Sequence, residues 1–291
     1  MKIATFIHDG MPKVGMLTSD DQAVTPFLLD DGLSYFGGQI ILDLLAGGED
    51  LPPVAAAVPL EQIQLLAPLP HPRRNIFCIG KNYRDHIQEV AKSGLGSSLG
   101  KETSVPEYPI VFTKVPESVI AHLDSIDSHQ GVTEQLDYEV ELAVIIGKSG
   151  RNISRADALD YVWGYTIIND VSARDLQKRH SQWHIAKSLD TFCPMGPWLV
   201  SKDELDAANL DLKCWVNGEL RQNSNTKQMI FDIPTIIESL SAGITLYPGD
   251  IIATGTPSGV GMGFLPPKFL KRGDQIKMTI SGIGTLENSV D

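Results

Sequence analysis

Apolar positions in this chain fall mostly into short runs with a period of two. Lys2–Ile7 and Lys13–Leu17 each read as a strand, joined by the turn His8-Asp9-Gly10-Met11-Pro12. Leu65–Pro68, Asn75–Gly80, Tyr138–Ile146, Tyr161–Ile168, Pro197–Val200, Leu210–Val216, Asp250–Thr254 and Gln275–Ile280 read the same way. Helical patterning is confined to Ile40–Ala46, Tyr83–Lys92, Ser172–Arg179 and Ile233–Leu240. The last of these opens after Asp232, whose carboxylate suits an N-cap. Strands outnumber helices and do not alternate with them regularly. This predicts a β-rich α+β domain, not a doubly wound sheet.

Two stretches punctuate the pattern. Pro68, Pro70 and Pro72 form a stiff joint, which divides a small module, residues 1–72, from a larger domain, residues 73–291. Ser93–Pro109 is rich in Gly, Ser and Pro and suits a surface loop, which beside a site would serve as a lid.

Composition narrows the function classes. Hydrophobic residues are 42% of the 291 and charged residues 21%, as in ordinary globular proteins. The formal charge is −12 and Lys and Arg form no run, so nucleic-acid binding is disfavoured. An anionic substrate would need a local cation or placed basic side chains to offset that field. Cys78, Cys193 and Cys214 are far apart and in no CxxC pair, which disfavours disulfides and zinc knuckles and fits a reducing compartment. The amino-terminal MKIATFIHDG turns polar at His8 and Asp9, too early for a signal peptide. No apolar run approaches the roughly 20 residues of a membrane span. A cytoplasmic location is the expectation.

Candidate chemistry begins at Asp137-Tyr138-Glu139-Val140-Glu141-Leu142. In a strand, Asp137, Glu139 and Glu141 share one face. The strand runs on into Ala143-Val144-Ile145-Ile146, apolar on both faces and so interior. Unpaired carboxylates leading into a buried strand are costly, and a hard cation with oxygen ligands would stabilise them. Asp170, at the end of another apolar strand, offers a third carboxylate. Alternatives stay open here: a solvated strand edge for the glutamates, helix capping for Asn169 or Asp170, and an Arg174–Asp170 pair along the helix.

Beyond these carboxylates, ordered motifs carry a resemblance. They are Asn82-Tyr83-Arg84-Asp85-His86, the Asp137–Leu142 segment, Gly164–Asp175, Ala186-Lys187-Ser188-Leu189-Asp190-Thr191, Val216-Asn217-Gly218-Glu219 and Pro248–Pro257. Over roughly residues 75–290 the chain resembles the fumarylacetoacetate hydrolase family. The resemblance implies a mixed β-roll, usually a homodimer, and a divalent metal on Glu139, Glu141 and Asp170, either Mg²⁺ or Mn²⁺, with Ca²⁺ an alternative. The implied substrates are 2-oxo acids, most often acylpyruvates. Where family members usually carry Gly and Phe, this chain has Ala186 and Leu189.

Further site residues follow from pattern and resemblance together. His86 and Glu89 lie three apart, on one helix face, and suit a water-activating dyad. By resemblance Lys187 enters the site, where an ammonium stabilises an oxyanion or enolate. Arg174 and Gln177 follow Asp170 on one helical face and by resemblance contact substrate or support the metal. Thr191 belongs to the lysine motif, and Gly255 and Thr256 leave a strand where amides and hydroxyls would cradle a carboxylate. Tyr83, Arg84, Trp183 and His184 are weaker candidates for lining the site. Gly259, Gly261 and Gly263 form GxGxG without GK[ST] or a following helix, so phosphate binding is disfavoured. The reading is metal-dependent hydrolysis of a C–C bond in a 2,4-dioxo acid. Its rivals are oxaloacetate-type decarboxylation, isomerisation on the same site, and a non-catalytic cation-binding scaffold.

Overall fold

The computed structural model describes residues 1–30, 32–92 and 105–291. Most of the loop expected at 93–109 therefore lies outside the described residues; residues 105–109 within it carry no helix or strand.

Among the described residues a twelve-stranded sheet forms the backbone of the fold. Its path runs Val58–Pro59, Ala23–Pro26, Met11–Leu17, Lys2–His8, Cys193–Ser201, Val162–Asn169, Val140–Ile146, Ile251–Ala253, Ile76–Gly80 and Ile110–Lys114. The first strands join the later ones directly, with Lys2 opposite Val200 and Ile3 opposite Leu199. A five-stranded sheet, Glu219–Asn225, Asp211–Val216, Gln275–Ile280, Gly284–Val290 and Ser125–Ile126, packs against it. This is the mixed, β-rich α+β architecture that the patterning predicts. No helix of the described residues is long and apolar enough to cross a membrane.

The central strand Val140–Ile146 shows why both of its faces are apolar. Val140, Leu142, Val144 and Ile146 enter the core shared with the five-stranded sheet and the helix Ile233–Ser241. Ala143 and Ile145 enter a second core with Ile76, Cys78, Ile3, Ile41 and Leu42. Glu141 shares the parity of Ala143, so the acidic face points toward the second core's end of the sheet.

Several elements differ from the sequence reading. Ser172 and Ala173 pair with Asp137 and Leu136 as a two-stranded ladder, and the helix begins at Arg174 and runs to His180. Neither Asn169 nor Asp170 caps it; the N-cap position is Ala173. The strand Glu219–Asn225 was not anticipated, although Asn217-Gly218 marks its hairpin: both have positive φ, 51° and 79°, as a tight two-residue turn requires. Asp9 and Gly10, at 52° and 73°, make the same turn between Lys2–His8 and Met11–Leu17. Asp232 caps its helix as expected, accepting from the Thr235 amide at 3.0 Å. All three cysteines are buried and unpaired.

The join between Val162–Asn169 and Cys193–Ser201 is closest at Gly164. A Cβ there would lie 2.0 Å from the Val200 carbonyl oxygen, a backbone atom that cannot rotate aside. Gly164→Ala is accordingly expected to destabilise the fold by about 3 kcal/mol, measured by chemical denaturation. An unchanged midpoint would show that the strands separate freely.

Candidate metal centre and active site

The antiparallel ladder between Val140–Ile146 and Val162–Asn169 builds the site. Its register sets Val140 opposite Asn169 and Glu141 opposite Ile168. One step beyond, the Asp170 amide donates to the Glu139 carbonyl at 2.9 Å, so the two acidic residues leave their strands side by side. Glu139, Glu141 and Asp170 are all buried, and each offers an oxygen within 4.8 Å of the others. A solvated strand edge is thereby excluded.

Three buried cations compensate these carboxylates. Lys187 Nζ donates to Glu139 Oε2 at 2.7 Å and Asp170 Oδ2 at 2.6 Å. Arg174 reaches not Asp170 but Glu139 Oε1, at 2.5 Å, and Asp137 Oδ2, at 2.9 Å. Lys114, fully buried, donates to Asp170 Oδ1 at 2.7 Å, to Val171 O at 3.1 Å and to the Lys187 carbonyl. Lys114 is not among the sequence candidates, and Asp137 enters the sequence reading as part of the acidic face without a role in the site. The one signal for Lys114 is a lysine closing the apolar run Ile110-Val111-Phe112-Thr113, with nothing in its own neighbourhood to name a partner.

Asp137 shares the acidic face but faces inward to protein donors. It accepts the amides of Tyr138, Gly261 and Met262 as well as Arg174. The glycine segment therefore binds carboxylates of the chain itself. Gly259 N–H donates to Glu89 at 2.9 and 3.1 Å, and a Cβ on Gly263 would lie 2.2 Å from the Glu89 carboxyl carbon. Glu89 stands one face along from His86, whose Nδ1 lies 3.4 Å from Glu89 Oε2 on the helix Arg84–Lys92. A carboxylate only accepts, so Nδ1 is the donor of this contact and Nε2 is the nitrogen not engaged by Glu89.

A cavity of about 40 Å³ opens onto these groups. Its polar wall comprises Glu139, Glu141, Arg174, Gln177, Lys187, His86, Lys81 and Thr256; its apolar wall is Ile79, Val90, Phe112, Trp183 and Met262. Trp183 packs over Gly80 and meets Phe112 edge-on at 5.1 Å. Gln177 Oε1 is taken by Arg174 at 3.1 Å, which leaves its NH₂ as the free end.

The remaining candidates are placed otherwise. Gly255 N–H donates to Glu141 Oε2 at 2.8 Å, so the expected carboxylate cradle serves the chain's own glutamate. Thr256 hydroxyl donates to Val140 O at 3.1 Å and accepts from Gln222. Thr191 accepts from the Asp127 amide at 2.9 Å and does not line the cavity. Tyr83 and Arg84 line a neighbouring crevice, and the buried Tyr83 hydroxyl has no partner among the described residues. His184 is exposed, within 3.1 Å of Thr113 O.

Residues 75–291 match the family described as Fumarylacetoacetate (FAA) hydrolase C-terminal. The chain belongs to this family. An oxaloacetate tautomerase of Bacillus subtilis is 58% identical over 232 residues, 79% of this chain and 74% of that protein. A mitochondrial oxaloacetate tautomerase of Rattus norvegicus is 45% identical over 235 residues, 80% and 71% of the two chains. Among solved structures, a fumarylacetoacetate hydrolase from psychrophilic Exiguobacterium antarcticum superposes with TM-score 0.85 at 42% identity, covering 100% of this chain and 99% of that one. A 5-carboxymethyl-2-hydroxymuconate delta-isomerase from Mycobacterium smegmatis gives 0.77 at 33%, with the same coverage.

The donor set of this family member fits a hard divalent cation. Burial, then the charges of Asp170 and Glu139, pushes the Glu141 carboxyl well up; only Lys187 and the Gly255 amide oppose them. Burial acts the same way on Glu139, but Lys187 and Arg174 outweigh it and hold that carboxyl well below the usual range. Burial would likewise lower Lys187, yet Asp170 and Glu139 raise it, so the ammonium stays charged. The cluster thus lacks positive charge at Glu141 alone, where a cation can displace a proton.

The sign of the pH effect follows. A carboxyl raised in the folded chain stabilises the fold below its unfolded value, about 4.3 for Glu, and that contribution is lost as pH rises through the folded value. Glu139, being lowered, is constant over that window. With chelator, thermal stability should therefore fall as pH rises above the ordinary glutamate range. Mg²⁺ or Mn²⁺ at a hundred times its dissociation constant should restore about 2.7 kcal/mol at the alkaline end. Glu141→Gln should remove both effects, and a melting temperature indifferent to cation at every pH would refute the assignment.

Proposed function

We propose that this enzyme interconverts the keto and enol forms of oxaloacetate or a closely similar compact 2-oxo acid. The observation that carries this reading is the 58% identity, over most of both chains, to an oxaloacetate tautomerase. The site's inventory supports it. Tautomerisation breaks no bond between heavy atoms and needs one acid–base group beside a stabilised oxyanion. Among the described lining residues His86 is the one imidazole, and its Nε2 is the free nitrogen.

A divalent cation held by Glu139, Glu141 and Asp170 supplies a fixed positive charge for the oxygens of a 2-oxo acid. The chain's own groups do the rest. His86 Nε2 takes the proton from C3, the electron pair forms the C2–C3 double bond, and the charge that moves to the C2 oxygen is met by Lys187. His86 then returns the proton to that oxygen. Gln177, with its carbonyl held by Arg174, turns its amide N–H groups to the substrate carboxylate. Glu89 and the Gly259 amide keep the helix and its imidazole in place.

C–C hydrolysis of an acylpyruvate is the second reading. It is favoured by the His86–Glu89 pair, since a hydrolase needs a base for water.

Enol-oxaloacetate followed by its ultraviolet absorbance, with the spontaneous rate subtracted, distinguishes the readings. Mg²⁺- or Mn²⁺-loaded enzyme should speed loss of the enol with all four carbons retained. His86→Ala should slow it on the order of 10²–10⁴-fold. Pyruvate with CO₂ would instead mark a decarboxylase, and pyruvate with an acid from acylpyruvates a hydrolase. No acceleration of the enol–keto exchange would exclude the tautomerase.

A further inference from the structure

A cavity larger than the one at the carboxylates lies elsewhere among the described residues. About 510 Å³ lies between the strand Val162–Asn169 and the first turn of the helix Ile233–Ser241. That volume falls in the range of small-ligand sites, roughly 300–1,000 Å³. The two cavities share no lining residue. Tyr165, in this second cavity, stands five residues before Asp170, about 17 Å along the strand.

The bed is apolar, with Leu159, Leu205, Ala207, Met229, Ile233 and Pro234. One lining residue carries a polar group that has no partner among the described residues. Tyr165 is only 3% exposed, and among the described residues its hydroxyl makes no hydrogen bond. The hydroxyl is not sealed from solvent, and its residue lines this cavity. The hydroxyl therefore keeps its donor for an acceptor that enters the cavity. Burial, with Asp206 adding to it, pushes the Tyr165 phenol up to about 12, so at neutral pH it is a donor.

Charge at the rim sets the sign of the occupant. Lys202 spends one N–H on the Leu159 carbonyl at 2.7 Å and keeps two. The Lys227 ammonium has no partner among the described residues. Of the two rim carboxylates, Asp232 is held by Arg155 and Thr235, and Asp206 caps the Ala208 amide at 3.1 Å. Two ammonium groups with spare donors therefore face one uncompensated carboxylate.

We propose that this cavity is a second ligand site, separate from the carboxylate cluster, for a compact carboxylic acid with an apolar, aromatic or branched body. The body lies on the Leu205–Met229–Ile233 bed, an oxygen accepts from Tyr165, and Lys202 and Lys227 meet the negative charge.

Phenylacetate is the probe, measured by calorimetry on the full cation-loaded enzyme with oxalate present to occupy the carboxylate-cluster site. Acetate and benzyl alcohol serve as controls for charge and ring. Phenylacetate should bind in the millimolar range, acetate should not, and benzyl alcohol should bind about tenfold more weakly. Tyr165→Phe should weaken phenylacetate about fivefold, and Ala208→Trp, at the exposed rim, should abolish binding. Displacement by oxalate, binding that survives Ala208→Trp, or binding no better than acetate would overturn the proposal. Equal binding of benzyl alcohol would overturn the choice of an acid. Should Ala208→Trp fail to fold, Tyr165→Phe and the oxalate competition decide alone.

Discussion

Asp137, Glu139, Glu141 and Asp170 are buried together with Lys114, Arg174 and Lys187, and the fold around them is arranged so that this is affordable. An isolated ion in such a place costs several kcal/mol even after relaxation. Here each carboxylate but Glu141 has a cationic partner, and Glu141 has the Gly255 amide. The partners come from remote parts of the chain: an edge strand, a short helix and the helix after Asp170. Closing the cluster therefore fixes the relative placement of those elements, and the sheet in turn keeps water from relaxing it.

The same compensation shapes the chemistry. Because Lys187 and Arg174 hold Glu139 ionised, while Glu141 is left among like charges, the cluster is poised to accept a cation at one defined point. The two relatives named oxaloacetate tautomerases carry out a reaction in which water is not a reactant. His86 then has a role in either reading, moving a proton on carbon in one and on water in the other. What differs is the event on the substrate: hydrolysis adds water to a carbonyl, whereas tautomerisation only moves a proton between carbon and oxygen.

The glycine segment 259–263 illustrates how local motif and tertiary role diverge. Its spacing resembles a phosphate loop, yet its amides are spent on Glu89 and Asp137. It thereby ties the helix carrying His86 to the carboxylate that anchors Arg174. One loop thus secures the acid–base group and part of the charge cluster at once.

Much of this was legible in the order of residues. Alternation identified the central strands, because a pleated strand exposes every second residue to one face whatever it packs against. The acidic face of Glu139 and Glu141, the helix face of His86 and Glu89, and the cap at Asp232 are likewise local properties. What local pattern could not supply was partnership. Lys114 lies 56 residues from Asp170, and Arg174 turned to Asp137 and Glu139 because the short Leu136–Asp137 ladder, not a helix, precedes it. Thr191 and Gly255 belong to motifs, but only the folded chain decides that one braces Asp127 and the other Glu141. Which carboxylates carry charge is decided there too, since burial and opposite charge act through space and not along the chain.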